Sequence, residues 1–201
     1  MPPRRTIILA ALLTLISGAA HAGPLHDASA AGDVAAVTSL IKGGASANEL
    51  NDAGETALIV AARADQREVA NVLVQLGADV TLATPDGTTA LHAAALTDDA
   101  NLIYVITGAR PDVNARNAAG KTALMLAAEA GKGQSVTALR LNKLADLEVT
   151  DNDRRTALTL AGRAGQKLIV NILIRFGAVC QTIDPTWATE CLERQKALGK
   201  A

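Results

Sequence analysis

Gly87-Thr88-Thr89-Ala90-Leu91-His92-Ala93-Ala94 is the stretch that decides the fold, because much of it recurs at a nearly fixed interval. Thr-Ala-Leu stands at Thr56-Ala57-Leu58, Thr89-Ala90-Leu91, Thr122-Ala123-Leu124 and Thr156-Ala157-Leu158, at spacings of 33, 33 and 34 residues. Gly54, Gly87 and Gly120 each precede the Thr by two positions, and Ala61-Ala62, Ala94-Ala95 and Ala127-Ala128 follow it. A second apolar run then leads to a turn at Gly77-Ala78-Asp79, with Gly44-Ala45 and Gly177-Ala178 in register. Stepping back 33 residues from Leu58 reaches Leu25-His26-Asp27-Ala28, a degenerate first copy. Self-similarity at this period is the mark of a repeat array.

Each copy reads as two helices. Val69, Val72, Leu73 and Leu76 follow the i, i+3, i+4, i+7 spacing of one helix face, as do Leu168, Ile169, Ile172, Leu173 and Phe176 in the last copy. The Ala-rich segment before them forms a slimmer helix, and its small side chains let neighbouring copies approach closely. The repeated Thr is suited to be an N-cap, its hydroxyl accepting from a free backbone N–H. The Asp-x-x-Gly-x-Thr stretch supplies turn chemistry. Neither helix of a pair covers its apolar face alone, so stacking stabilises the array.

Asn51 to Leu58, Thr89-Ala90-Leu91-His92-Ala93-Ala94 and Gly77-Ala78-Asp79-Val80 resemble the ankyrin-repeat family. The resemblance implies an all-α solenoid of about five helix–turn–helix repeats joined by short hairpin-like loops. The repeats fall near 24–52, 53–85, 86–118, 119–152 and 153–184, within an array spanning 23–184. Several positions depart from the family pattern. Arg110-Pro111-Asp112 replaces Gly-Ala-Asp, the fourth repeat holds one extra residue and Leu144 at the turn Gly, and Arg154 occupies the hairpin Gly position. Distorted hairpins are expected in the middle and late repeats.

Composition agrees with thin, closely packed helices. Apolar residues make up 49% and aromatics 1%, namely Trp187, Tyr104 and Phe176. Residues 1–22 read as a signal peptide: Arg4 and Arg5 form the basic region, Ile7 to Ile16 the apolar core and Ala20-His21-Ala22 the cleavage pattern. The apolar run is short for a spanning helix, which takes roughly 20 residues. Its removal leaves 17 basic and 20 acidic residues, a net charge of −3. No basic cluster remains to meet nucleic acid or an anionic membrane surface. The expected destination is the periplasm, with full secretion as the alternative, and the expected state a monomer.

Cys180 and Cys191 are the only cysteines. An exported chain favours a disulfide, which would staple a capping helix running from about Trp187 to Leu198, within residues 185–201, onto the last repeat. A redox-active thiol pair is the alternative, although the C-x-x-C spacing is absent.

No cofactor, metal or catalytic set is implied. Gly120-Lys121-Thr122 imitates the end of a phosphate-binding loop, but Ala115 stands where that loop needs Gly. His26 and His92 lie two repeats apart, too far to share a metal, and local hydrogen bonding at the helix start is the expected role of each. What remains is a non-enzymatic scaffold for a partner protein. The family resemblance places its contacts on the hairpin tips, Glu49, Leu50, Glu55, Leu82, Ala83, Thr88, Arg116, Lys121, Val149, Thr150 and Arg155, and on the first-helix positions Arg63, Leu96, Glu129 and Arg163. Apolar tips in a row, Leu50, Leu82 and Val149, are candidates for a contact patch. The exported bacterial ankyrin proteins that the chain resembles protect periplasmic enzymes or aid tolerance of oxidative stress, or act as immunity proteins against toxins.

Overall fold

A computed structural model describes residues 23–141, 145–180 and 185–199. The expected signal peptide, residues 1–22, lies outside them. The described residues form eleven helices and no extended strand. Five short inner helices, α1 (Pro24–Ala31), α3 (Ala57–Arg63), α5 (Ala90–Ala94), α7 (Ala123–Glu129) and α9 (Ala157–Arg163), pack against one another in chain order. Five outer helices form a second row: α2 (Val34–Lys42), α4 (Arg67–Gln75), α6 (Ala100–Gly108), α8 (Gly133–Leu141) and α10 (Lys167–Arg175). The last, α11 (Pro185–Ala197), lies on α9 and α10.

The repeated Thr starts every inner helix after the first. Thr56, Thr89, Thr122 and Thr156 sit in extended backbone, and their hydroxyls accept from the amides of Ile59, His92, Met125 and Thr159. Such a cap contributes about 1 kcal/mol over Ala. Between the caps and the turns, the inner helices of repeats two to five bury nearly every side chain. Leu58, Leu91, Leu124 and Leu158 are all but inaccessible, each flanked by buried alanines. Burying one Leu stabilises by about 1.5–3 kcal/mol, and the alanines keep the rows close enough for that burial to be complete.

The outer helices follow the expected stripe with one correction. In α4, Val69 and Leu73 are buried, with Val72 and Leu76 half-buried. In α10 the buried set is Ile169, Val170, Leu173 and Ile174, while Leu168 is 69% exposed. Leu168 shares the stripe's spacing but falls on the outward edge of the first turn of α10, the position that the exposed Glu68 holds in α4. Leu168 also lines a surface hollow with Tyr104 and Ile172.

Four hairpins join the layers, and all keep one hydrogen-bond pattern. The amides of Asn51, Thr84, Asn117 and Asp151 donate to the carbonyls of Glu55, Thr88, Lys121 and Arg155 at 3.0 Å. Their side-chain oxygens in turn accept from amides inside the loop. The distortion expected at Arg154 does not occur. Arg154 adopts a φ of 62°, the left-handed conformation of Gly54, Gly87 and Gly120. The reason lies in the neighbour. A Cβ on Gly120 would come within 2.8 Å of the Asn152 backbone nitrogen in the next hairpin. Arg154 is exposed on the last hairpin of the array.

The third and fourth repeats absorb their irregularities in the turn after the outer helix. Arg110 takes a φ of 59° where the second repeat has Gly77, and Pro111 leaves that turn without a donor. In repeats one, two and five the amides of Ala45, Ala78 and Ala178 reach back five residues to Leu40, Leu73 and Leu173. In repeat four Ala145 reaches back six, to Leu139, so the extra residue is taken up before the next hairpin. The turn Gly position, Leu144, lies outside the described residues. Arg140 ties this turn down by donating to the Ala145 carbonyl and lying 5.9 Å above the Phe176 ring. Asp98, also left-handed, accepts from the amides of Gln134 and Ser135 and so caps α8, which opens on Gly133.

Cys180 and Cys191 form a disulfide with a Cα–Cα distance of 5.9 Å. Both are buried, and Arg194 adds a hydrogen bond to Asn171 on α10. The capping helix starts at Pro185, two residues before the expected Trp187, consistent with the preference for Pro in a first turn.

Two measurements check these assignments. Arg154→Gly is expected to raise stability by about 0.5–1 kcal/mol in thermal unfolding, since it relieves a left-handed residue. Gly120→Ala should lower stability by about 2 kcal/mol or more, because both backbone conformation and space resist it. Separately, Cys191→Ser should cost about 2–3 kcal/mol, a loss matched in the parent by reduction and read by denaturant unfolding under both conditions.

Candidate functional site

Four pairs of positions, each eight residues apart, place one hairpin residue beside the end of the following inner helix: Glu55 and Arg63, Thr88 and Leu96, Lys121 and Glu129, Arg155 and Arg163. Of these, Arg63, Thr88 and Leu96 line a groove of about 570 Å³ between the second and fourth repeats, together with His92, Asn117 and Leu126, among others. Leu96 is 45% exposed there and Leu126 half-buried, an apolar floor between polar walls. Of the expected contact residues, the groove thus brings together Arg63, Thr88 and Leu96. Asn117 and Leu126 were missed. Leu126 matches the buried Ala93 in register, so its position reads as core unless the larger side chain is weighed.

Other expected contact residues are engaged within the molecule. Glu55 is only 9% exposed, and its carboxylate is held by Arg63 and by Asn51. Lys121 pairs with Glu129. Arg116, though exposed, donates to the Gly120 carbonyl at 3.0 Å and to Asn152 in the next hairpin at 3.2 Å. Arg155 bridges Asp151 and Asp153. Burial raises the Asp151 carboxyl, but hydrogen bonds from the Arg155 side chain and backbone outweigh it and hold the group below the usual carboxylate value. Among the apolar tips only Leu50 stands clear, at 54% exposure, whereas Leu82 and Val149 are half-buried. Glu49, Ala83 and Arg163 are exposed, and Thr150 is half-buried.

The repeat geometry and the groove have a counterpart among known families. A family model described as ankyrin repeats in three copies matches residues 25–117 and again residues 91–184. The chain belongs to the ankyrin-repeat family. A comparison with curated proteins finds no match. Ankyrin repeats mark the chain as a scaffold for protein–protein interaction, in a family whose members are in general not enzymes. No helix among the described residues is long and apolar enough to cross a membrane.

Within the ankyrin array the two histidines do more than start a helix. The His92 Nδ1 accepts from the amide and hydroxyl of Thr89, and its Nε2 lies 3.0 Å from the Lys121 carbonyl, one repeat on. The His26 Nε2 likewise lies within hydrogen-bond distance of the Glu49 and Glu55 carbonyls. Each imidazole therefore clamps its own helix start to the next hairpin. No cluster of metal-ligating side chains occurs among the described residues. The cysteines, which the alternative reading made a redox pair, are joined and buried, and disulfide exchange requires an accessible sulfur.

Burial pushes His92 below its ordinary pKa, against the opposing pull of the Lys121 carbonyl. The unfolded chain takes up this proton near pH 6.5, whereas the folded chain resists it to lower pH. Below about pH 6.5 the unfolded state binds more protons, so acid lowers stability. Denaturant unfolding should show a weaker fold at about pH 5.5 than at 7.5. His92→Met, which copies Met125 at the matching position one repeat on, should shrink that difference, and an unchanged difference would remove His92 as its source.

Proposed function

We propose that this ankyrin-repeat protein works in the periplasm as a non-enzymatic scaffold, holding one partner protein along the groove between its second and fourth repeats. The observation that carries the reading is the groove itself, where Leu96 lies exposed between Arg63, Thr88 and Asn117. An apolar anchor point ringed by polar groups is the usual make-up of a protein contact. Export is supported by the leader-like residues 1–22 and by the buried Cys180–Cys191 disulfide, which an oxidising compartment sustains. In that compartment the partner is an enzyme shielded during oxidative stress or a toxin held inactive.

Leu96 and Arg63 are better probes of this face than Arg116 and Lys121, whose side chains already brace the hairpins. The full-length chain, tagged at its C-terminus and produced in a Gram-negative host, should fractionate with the periplasm and crosslink to one specific protein. Leu96→Asp should weaken that capture about tenfold or more, with thermal stability unchanged because Leu96 is half in solvent. Recovery of the protein alone, with or without peroxide stress, would sink the proposal.

A further inference from the structure

The inner and outer rows stack in chain order, so distance along the sequence is also distance along the array. Charge is unevenly spread on that axis. Residues 24–118, the first three repeats, carry twelve acidic and five basic side chains, a net of −7. Residues 119–201 carry eight acidic and twelve basic, a net of +4. The near-neutral total conceals a molecule with an acidic end and a basic end.

Internal pairing removes some of these charges from recognition. Glu55 is covered by Arg63, Glu129 by Lys121, and Arg155 by two aspartates. What the hairpin edge still presents differs from end to end. Glu49 is exposed on the first hairpin and Asp86 on the second, while on the last Arg154 is exposed beside Asp153, which is already paired with Arg155. The apolar opening at Leu96 lies between them, in the third of five layers.

Packed helices lie about 8–10 Å apart, so five layers separate the two ends by roughly 40 Å. Physiological salt screens charge over about 8 Å. The ends therefore attract independently. A uniformly charged partner gains at one end and is repelled at the other, whereas a partner with the opposite gradient gains at both.

We propose that the groove takes an extended segment of a partner protein that is cationic over the first two hairpins, apolar at Leu96 and anionic over repeat five. The proposal rests on the protein-binding reading above and adds the chemistry and direction of the bound segment. At about 3.3 Å per extended residue, each charged block lies roughly six residues from the apolar anchor.

A fluorescent peptide of about 13 residues, with three lysines at one end, a central leucine and three glutamates at the other, spans that distance. Its control has the same composition with the charges alternating. Fluorescence anisotropy with the signal-free chain at low salt should show the block peptide binding at least about fivefold tighter, an advantage that shrinks as salt rises. Glu49→Lys and Arg154→Glu should each reduce the advantage, and Leu96→Asp should weaken both peptides. Equal binding of the two peptides, or binding of neither, overturns the inference. So does salt-sensitive self-association of the protein alone in sedimentation velocity, which would assign the gradient to head-to-tail pairing of copies. None of these results touches the periplasmic capture, which decides the scaffold reading by itself.

Discussion

The middle inner helices, α3, α5 and α7, are covered only because another inner helix lies on either side of each. The inner helices of repeats two to five are five to seven residues long, too short to hold together in isolation, where roughly 12–15 residues are marginal even for Ala-rich chains. They persist because Leu58, Leu91, Leu124 and Leu158 are buried between layers and because every helix start is capped by its own Thr. The array's stability is then mostly a sum of nearest-neighbour interfaces, and its two ends are its weak points. The Cys180–Cys191 bridge and α11 deal with the weakness at one end.

The same dependence on neighbours shapes the face proposed to meet a partner. Hydrogen bonds crossing between layers hold the hairpins in line: His92 to the Lys121 carbonyl, Arg116 to Asn152, and the Asn152 amide to the Ala119 carbonyl at 3.2 Å. Side chains used for this bracing are lost to recognition, which leaves Leu96 and the exposed hairpin charges to meet a partner. A rigid row of tips lowers the ordering cost of binding, because the surface is already arranged before contact.

Much of the fold was legible because the repeat period ties position in sequence to position in a layer. The Thr caps, the inner and outer helices, and the disulfide all follow from residues a short distance apart or from register. Leu168 shows where this reasoning stops. Its spacing places it on the apolar stripe, yet it is exposed at the edge of that stripe, beside the outer helices of the two preceding repeats. Arg154 shows the reverse: the pattern forecast distortion, and the hairpin is regular because Arg154 itself adopts the left-handed conformation of the glycines at the matching positions.

The repeat, the helix starts, the family and the cysteine pair that closes the array are written in the chain, since each depends on local hydrogen bonding, helical periodicity or register. Which residues are available to a partner follows from the stacking of the layers. Glu55, Arg116, Lys121 and Arg155 looked like contact residues by position, but their partners lie across a hairpin or one repeat away. Exposure of Leu96 and the half-exposure of Leu126 likewise depend on side chains brought together from three repeats. Pairings of this kind are set by how the layers stack, and a linear period of 33 residues carries no record of them.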